Sequence, residues 1–252
     1  MPGQPSDLLR SLHVPGSPLV LPNAWDVASA KAVVEAGFPV VATTSAGVAM
    51  ALGYEDHEGA PAAEMLAVAA RIGRSVDVPL TVDVEAGYGM TAGELADSLL
   101  GVGAAGCNLE DTDHARGGLV DPLRQAEWLA ALRYAAAERN YGLVINARID
   151  VFIADHGTHR QAELLDEAIN RARAYFAAGV DCVYPIFLHD TQTIAEFTRA
   201  VEGPVNILAL PQAPPVAHLA ELGVARVSYG ALLHQYTMRQ LAAFLTAEIA
   251  GQ

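Results

Sequence analysis

Two acidic residues stand two apart in LTVDVEAGYGM (80–90): Asp83 and Glu85. In a strand, residues at that spacing point to one face. The spacing returns in AGCNLED (105–111), where Asn108 and Glu110 share a face, and Asp56 in the GYED loop offers a further carboxylate. So many negative charges converging on one partly desolvated mouth require a counter-charge. Hard oxygen ligands, with no histidine or cysteine among them, point to Mg²⁺ or Mn²⁺. One or two carboxylates would hold such an ion directly and the others through water, and whether Glu85 touches it directly stays open. The rival account makes these acids structural, salt-bridged to Arg148. In LVINARID (143–150), Arg148 faces the same way as Asn146 and Asp150. Its planar fork suits a substrate carboxylate, a brace across the mouth, or both.

Two further stretches carry possible chemistry. TTSAGVAM (43–50) is built of small residues that let a ligand approach backbone N–H groups, and Ser45 adds a hydroxyl. TDHARGGLVDP (112–122) is polar, with a Gly117-Gly118 hinge, and reads as a lid carrying Asp113, His114 and Arg116 or else as a solvated connection. Cys107 and Cys182 lie within strands and read as packing residues rather than nucleophiles.

The elements that must position these groups recur regularly. Strands are expected at 17–25, 39–45, 79–85, 105–111, 143–150, 180–186, 204–210 and 225–230, with helical stretches between them. Gly37, Gly103, Gly179, Gly203 and Gly223 supply helix stops before the following strands. Eight β-α units in 252 residues, 52% of them hydrophobic, predict a single (β/α)₈ TIM barrel over residues 1–252. An open doubly wound sheet is the rival, but no glycine-rich fingerprint follows the first strand. SDLLRSLH (6–13) is expected as an extra helix closing the barrel bottom. The polar residues gather where the expected strands end: Asn23 and Asp26, Thr43 to Ser45, Asp83 and Glu85, Glu110 and Asp111, Asn146 to Asp150. A barrel enzyme places its active site on that side.

The formal charge of −14 argues against a nucleic-acid partner and an anionic membrane surface, so an anionic substrate needs local cations. Two cysteines imply no disulfide framework, and the N-terminus lacks the apolar run of a signal peptide, so the expected location is the cytoplasm.

In their order, LPNAWD, TTSAGVA, ALGYED, DVEAGYG, NLEDT and NARID resemble the isocitrate lyase/phosphoenolpyruvate mutase superfamily from about residue 8 to 245. The resemblance implies a Mg²⁺-dependent barrel that makes or breaks C–C or P–C bonds beside a 2-oxo or 2-hydroxy carboxylate, through an enolate-type intermediate. It implies Asp83 as the principal metal-side carboxylate, with Glu85, Asp56 and Glu110 around it. Ser45, Ala46 and Gly47 would hold the substrate carboxylate, Arg148 would clamp it, and Asn206 is added as a further contact. It also implies a homo-oligomer, dimer or tetramer, whose last helix is exchanged. The apolar residues of Leu232 to Ile249 would serve a neighbour or pack at home equally well. The lid departs from the family: lyases carry K-[KR]-C-G-H there, whereas TDHARGGLVDP has no cysteine and does not resemble the asparagine-bearing loop of the phosphonate enzymes. That argues against a cysteine-dependent isocitrate lyase and a standard mutase. Decarboxylation or retro-aldol cleavage of an oxaloacetate-like or methylisocitrate-like acid, with His114 or water as the acid/base, is the expected reaction. The alternatives are phosphonopyruvate hydrolase or mutase chemistry, and a keto-acid-binding barrel without turnover.

Overall fold

A computed structural model describes residues 4–155 and 160–249. Each expected strand region forms a strand: β1 (Leu19–Leu21), β2 (Asn23–Ala24), β3 (Val41–Thr43), β4 (Leu80–Asp83), β5 (Gly106–Glu110), β6 (Val144–Ile149), β7 (Cys182–Pro185), β8 (Asn206–Leu208) and β9 (Arg226–Ser228). The first region is divided at Pro22, which has no N–H to give to a ladder. On one side of that break β1 pairs with β9, and on the other β2 pairs with β3.

The strands run β2-β3-β4-β5-β6-β7 in one parallel series and β1-β9-β8 in the other. Chain continuity through Pro22 joins the series at one seam. A parallel bridge between Val183 and Val205 joins them at the other. The ring is the expected (β/α)₈ barrel, with helices packed outside it. Four of the five predicted stop glycines, Gly37, Gly103, Gly179 and Gly223, take the left-handed conformation. Gly203 does not; a Cβ there would sit 2.4 Å from the Phe176 ring, so close packing accounts for it.

The helix Pro5–Ser11 lies under the barrel, where Leu9 is fully buried against Leu19, Leu21, Val40 and Val144. Above this apolar plug is a polar layer that period-two reasoning did not anticipate. Asn146 Nδ2 and Arg226 Nη2 both donate to Asn108 Oδ1, at 2.9 and 3.0 Å. Arg226 is fully buried. At the far end of the chain the helix Leu232–Phe244 continues as a π-turn over Leu245–Ile249, and His234 is its one buried residue. Among the described residues no helix is long and apolar enough to cross a membrane.

Candidate active site

The strand ends form the rim of a cavity of about 1160 Å³. At the end of β3, Thr44 caps the helix Ser45–Leu52 in extended conformation. The first N–H of that helix, from Ser45, donates to Asp83 Oδ2 at 3.0 Å, and the Asp83 N–H donates to Thr43 Oγ1 at 2.9 Å. These bonds orient the carboxylate and leave its other oxygen, Oδ1, buried without a partner. Asp56 Oδ1 is likewise buried and unpartnered, and both acids line the cavity. Burial raises the Asp83 pKa, and the Asp56 charge adds to the rise.

Glu85 corrects the simple alternation. Strand β4 stops at Asp83, and Glu85 takes a left-handed φ of 49°. Period two holds only while the backbone stays extended. The Glu85 carboxylate therefore turns to accept the Glu58 N–H, and Glu58 Oε1 in turn accepts the Tyr88 N–H at 2.6 Å. His57, Glu58 and Tyr88 are also left-handed, at φ 66°, 58° and 57°. Four such non-glycine residues in two apposed loops store backbone strain that the cross-loop bonds hold in place. Burial pushes the Glu85 carboxyl up to about 7, with the charges of Asp83, Asp56 and Glu110 adding to it.

A second polar chain starts at the end of β5. Glu110 Oε1 shares a 2.6 Å hydrogen bond with His114 Nε2, and Arg148 Nη1 lies 2.5 Å from Glu110 Oε2 as an ion pair outside hydrogen-bond angles. Arg148 also donates from Nε and Nη2 to the two carboxylate oxygens of Asp150, at 2.6 and 2.9 Å. Asp150 is anchored by its own N–H, which donates to Asp111 Oδ1 at 2.8 Å. Asp111 Oδ2 accepts from Tyr175 at 2.6 Å and from Arg171 at 3.0 Å, on the helix side of the barrel. Adjacent acids in NLED thus serve opposite faces: Glu110 the mouth, Asp111 the scaffold behind it. Burial pushes Glu110 up to about 7, against the opposing pull of Arg148 and His114. The bond to Glu110 raises the His114 pKa, which outweighs partial burial.

Of the predicted residues, Ser45, Ala46, Asp56, Asp83 and Arg148 line the cavity together. Glu110 and His114 stand behind that lining, and the His114 ring lies 5.6 Å from that of His57, which does line it. Gly47 and Asn206 are not among the lining residues. The Gly47 N–H caps onto Thr44 Oγ1, and a Cβ there would meet the Thr44 side chain at 2.6 Å. Asn206 is fully buried and hydrogen-bonded to Ser228. Asn23 lines the cavity while tying Thr43 to Tyr229 and Gly230, whereas Asp26 lies outside it and caps the helix Val27–Glu35. In TDHARGGLVDP, Asp113 and Arg116 pair with each other. Both cysteines are fully buried, and burial pushes their thiols up to about 12. Sequence reasoning passed over His57 and Glu58, although they directly follow Asp56 in GYEDHEG.

The chain matches the family model of phosphoenolpyruvate phosphomutase over residues 9–248. It is 41% identical to a solved Burkholderia cenocepacia J2315 protein provisionally described as a phosphonomutase, with a TM-score of 0.91 over 97% of this chain and 100% of that one. It is 30% identical over 200 residues to the 2-methylisocitrate lyase of Bacillus subtilis, covering 76% of this chain and 62% of the relative. The fold also matches phosphonopyruvate hydrolase solved with oxalate and Mg²⁺, at 22% identity, a TM-score of 0.81, and 97% and 87% coverage. Strand-end acids around a barrel mouth and a match along nearly the whole chain lead to one assignment: this protein is an enzyme of the isocitrate lyase/phosphoenolpyruvate mutase superfamily of lyases and mutases.

Proposed function

We propose that the protein is a Mg²⁺-dependent lyase that cleaves a C–C bond in a small 2-oxo or 2-hydroxy carboxylate through an enolate-type intermediate. The observation that carries this reading is the pair of buried, unpartnered carboxylate oxygens, Asp83 Oδ1 and Asp56 Oδ1, on the wall of the cavity that Arg148 also lines. They fit a hard divalent cation. Among the described residues no group of three or more acids, histidines or cysteines could ligate a metal unaided. An ion that keeps several of its waters, as Mg²⁺ does, suits that arrangement. Asp83 would hold it directly. Asp56, Glu85 and Glu110 would act through water, since Glu85 and Glu110 already bind Glu58, His114 and Arg148. Bound there, the cation would stabilise negative charge developing on the substrate oxygen.

The chain's own residues would do the rest. The N-terminus of Ser45–Leu52 presents Ser45 and Ala46 to a substrate carboxylate. Arg148 donates two of its five N–H groups to Asp150 and pairs with Glu110 only as an ion, which leaves Nη1 and one N–H of Nη2 for the substrate. In a retro-aldol cleavage the hydroxyl proton passes to a base, and the electron pair of the breaking bond moves into the enolate. The enolate carbon then takes a proton back. His114, tied through Nε2 to Glu110 by a 2.6 Å bond behind the lining, would receive and return that proton through one water. It would fill the role for which TDHARGGLVDP offers no cysteine.

A homo-oligomer belongs to the same reading. Every residue from Gln235 to Ile249 is exposed, among them Tyr236, Leu241, Phe244 and Ile249. A helix with so much uncovered apolar surface calls for a second copy of this chain. The two buried thiols suit a reducing, cytoplasmic setting.

The test is calorimetric titration of pyruvate, oxaloacetate and 2-oxoglutarate with and without Mg²⁺, with product analysis and light scattering of the same sample. Mg²⁺-dependent C–C cleavage supports the lyase. Phosphate release from phosphonopyruvate would replace it with P–C chemistry, and tight binding without product would leave a binding barrel.

A further inference from the structure

The cavity of about 1160 Å³ is much larger than the head of a 2-oxo acid needs. Away from Asp83 and Arg148 its wall changes character. Ile153, Ile186, Leu208 and Leu210 form an apolar cluster of their own with Tyr184, separate from the main core, and all five line the cavity. Phe187 joins them there with 42% of its surface exposed.

Phe187 is held in place at a cost. Its φ is 65°, a region that bulky side chains rarely enter. Gln161 maintains it: Nε2 donates to the Phe187 carbonyl at 2.8 Å, while Oε1 accepts the N–H groups of His189 and Asp190 at 2.9 and 2.8 Å. One buttressing side chain thus ties down the whole turn that presents the ring. Strain kept at an exposed aromatic on a cavity wall is the mark of a ligand contact.

The charged groups on this wall do not suit a second carboxylate. Arg160 is paired with Glu163 at 2.9 Å, and its side chain is 85% exposed. His189 Nδ1 contacts the Phe187 carbonyl at 2.9 Å. Asp190 caps the helix Thr191–Ala200, and Asp155 adds a further acid to the lining. Among the described residues this half of the cavity carries acids, apolar groups, His189 with its Nδ1 engaged, and neutral polar side chains such as Gln161, Thr193 and Gln212, and its one arginine already has a partner. A carboxylate placed there would give up water without gaining a counter-charge. An alkyl or aryl group would gain from burial.

We infer that the substrate is a 2-oxo monocarboxylate whose other end is a branched alkyl or aryl group, seated on Ile186, Phe187 and Leu210. This rests on the proposed head-group site at Asp83 and Arg148 and names what lies beyond it. The two are tested separately by titrating three ligands into the Mg²⁺-loaded protein. Oxalate, a planar mimic of the enolate head, reports on the head site alone. 4-Methyl-2-oxopentanoate and 2-oxoglutarate share that head and differ in their tails. The expected result is that oxalate binds and the branched acid binds at least about tenfold tighter than 2-oxoglutarate. Phe187→Gly, which relieves the left-handed strain and so spares the fold, is expected to weaken the branched acid about tenfold and to shift oxalate by less than about twofold. Leu210→Lys is expected to reverse the preference in favour of 2-oxoglutarate. If oxalate binds but 2-oxoglutarate binds as tightly as the branched acid, the apolar-tail inference is overturned while the head site stands. If oxalate fails to bind with Mg²⁺, the head-site reading falls and takes the inference with it.

Discussion

The main-chain N–H of Ser45 donates to Asp83 Oδ2 at 3.0 Å, so the first turn of the helix after β3 and the acid ending β4 hold each other. An asparagine at 83 can keep the acceptor for Ser45 but brings no charge. Without metal, Asp83→Asn is expected to be at least as stable as wild type, because it relieves a carboxylate buried among other acids. It should lose the rise in melting temperature that saturating Mg²⁺ gives the wild type. A thermal scan with and without Mg²⁺ decides this, and a full Mg²⁺ shift in the variant would remove Asp83 from the metal site.

The hydrogen bond between His114 Nε2 and Glu110 Oε1 suggests a substitution that separates position from proton transfer. Glutamine can place a nitrogen near the same point but cannot shuttle a proton. His114→Gln is expected to lower kcat by a factor of about 10² to 10⁴ while KM moves only a few-fold. An unchanged kcat would return the lid to the status of a solvated connection.

Beneath the mouth, the fit of the N-terminal helix depends on Gly106. A Cβ there would lie 2.7 Å from the Val144 carbonyl oxygen and 2.8 Å from Leu9 Cδ2. Gly106→Ala is expected to destabilise the barrel by about 1–3 kcal/mol in urea unfolding. Adding Leu9→Ala should not restore stability, because the clash with backbone on β6 remains and the plug loses volume.

His13 couples stability to pH. Its Nδ1 donates to the Leu9 carbonyl at 2.8 Å, and its Nε2 is buried without a partner. Burial, reinforced by the charge of Arg226, lowers its pKa from 6.5 to about 4. Between those values the unfolded chain binds the proton more readily, so stability falls as pH falls through that window. The penalty is absent above the unfolded value and reaches about 3 kcal/mol below the folded one. His13→Gln should lack this component, which the difference between wild-type and variant unfolding free energies at pH 7 and pH 4.5 will show. Parallel curves would mean that His13 is protonated as easily in the folded state.

Much of the architecture is legible in the chain because its causes are local. Strands buried on both faces must be apolar runs, and helices between them must stop, so the β-α rhythm and most of the glycine stops can be read directly. A parallel barrel then puts every strand's C-terminal end on one side, which is why Asp83, Glu110 and Arg148 could be grouped before any coordinates. Composition settled the absence of a disulfide framework in the same way, from only two cysteines.

Other features depended on contacts across long stretches of chain. The turn at Glu85 is held by Glu58, 27 residues earlier, so alternation could not predict where that carboxylate goes. Asn206 obeys the strand pattern yet sits hydrogen-bonded to Ser228 below the cavity, because depth in a barrel is set by the stagger of neighbouring strands. The apolar residues of the last helix read the same whether they pack at home or elsewhere; only the fold shows that His234 alone of that helix is buried. Likewise, no local signal marks Phe187 as a cavity wall, since its left-handed backbone is imposed by Gln161, 26 residues away. Local periodicity determines which elements form and which way they face. Tertiary packing decides which side chains meet at the mouth and what shape of molecule they leave room for.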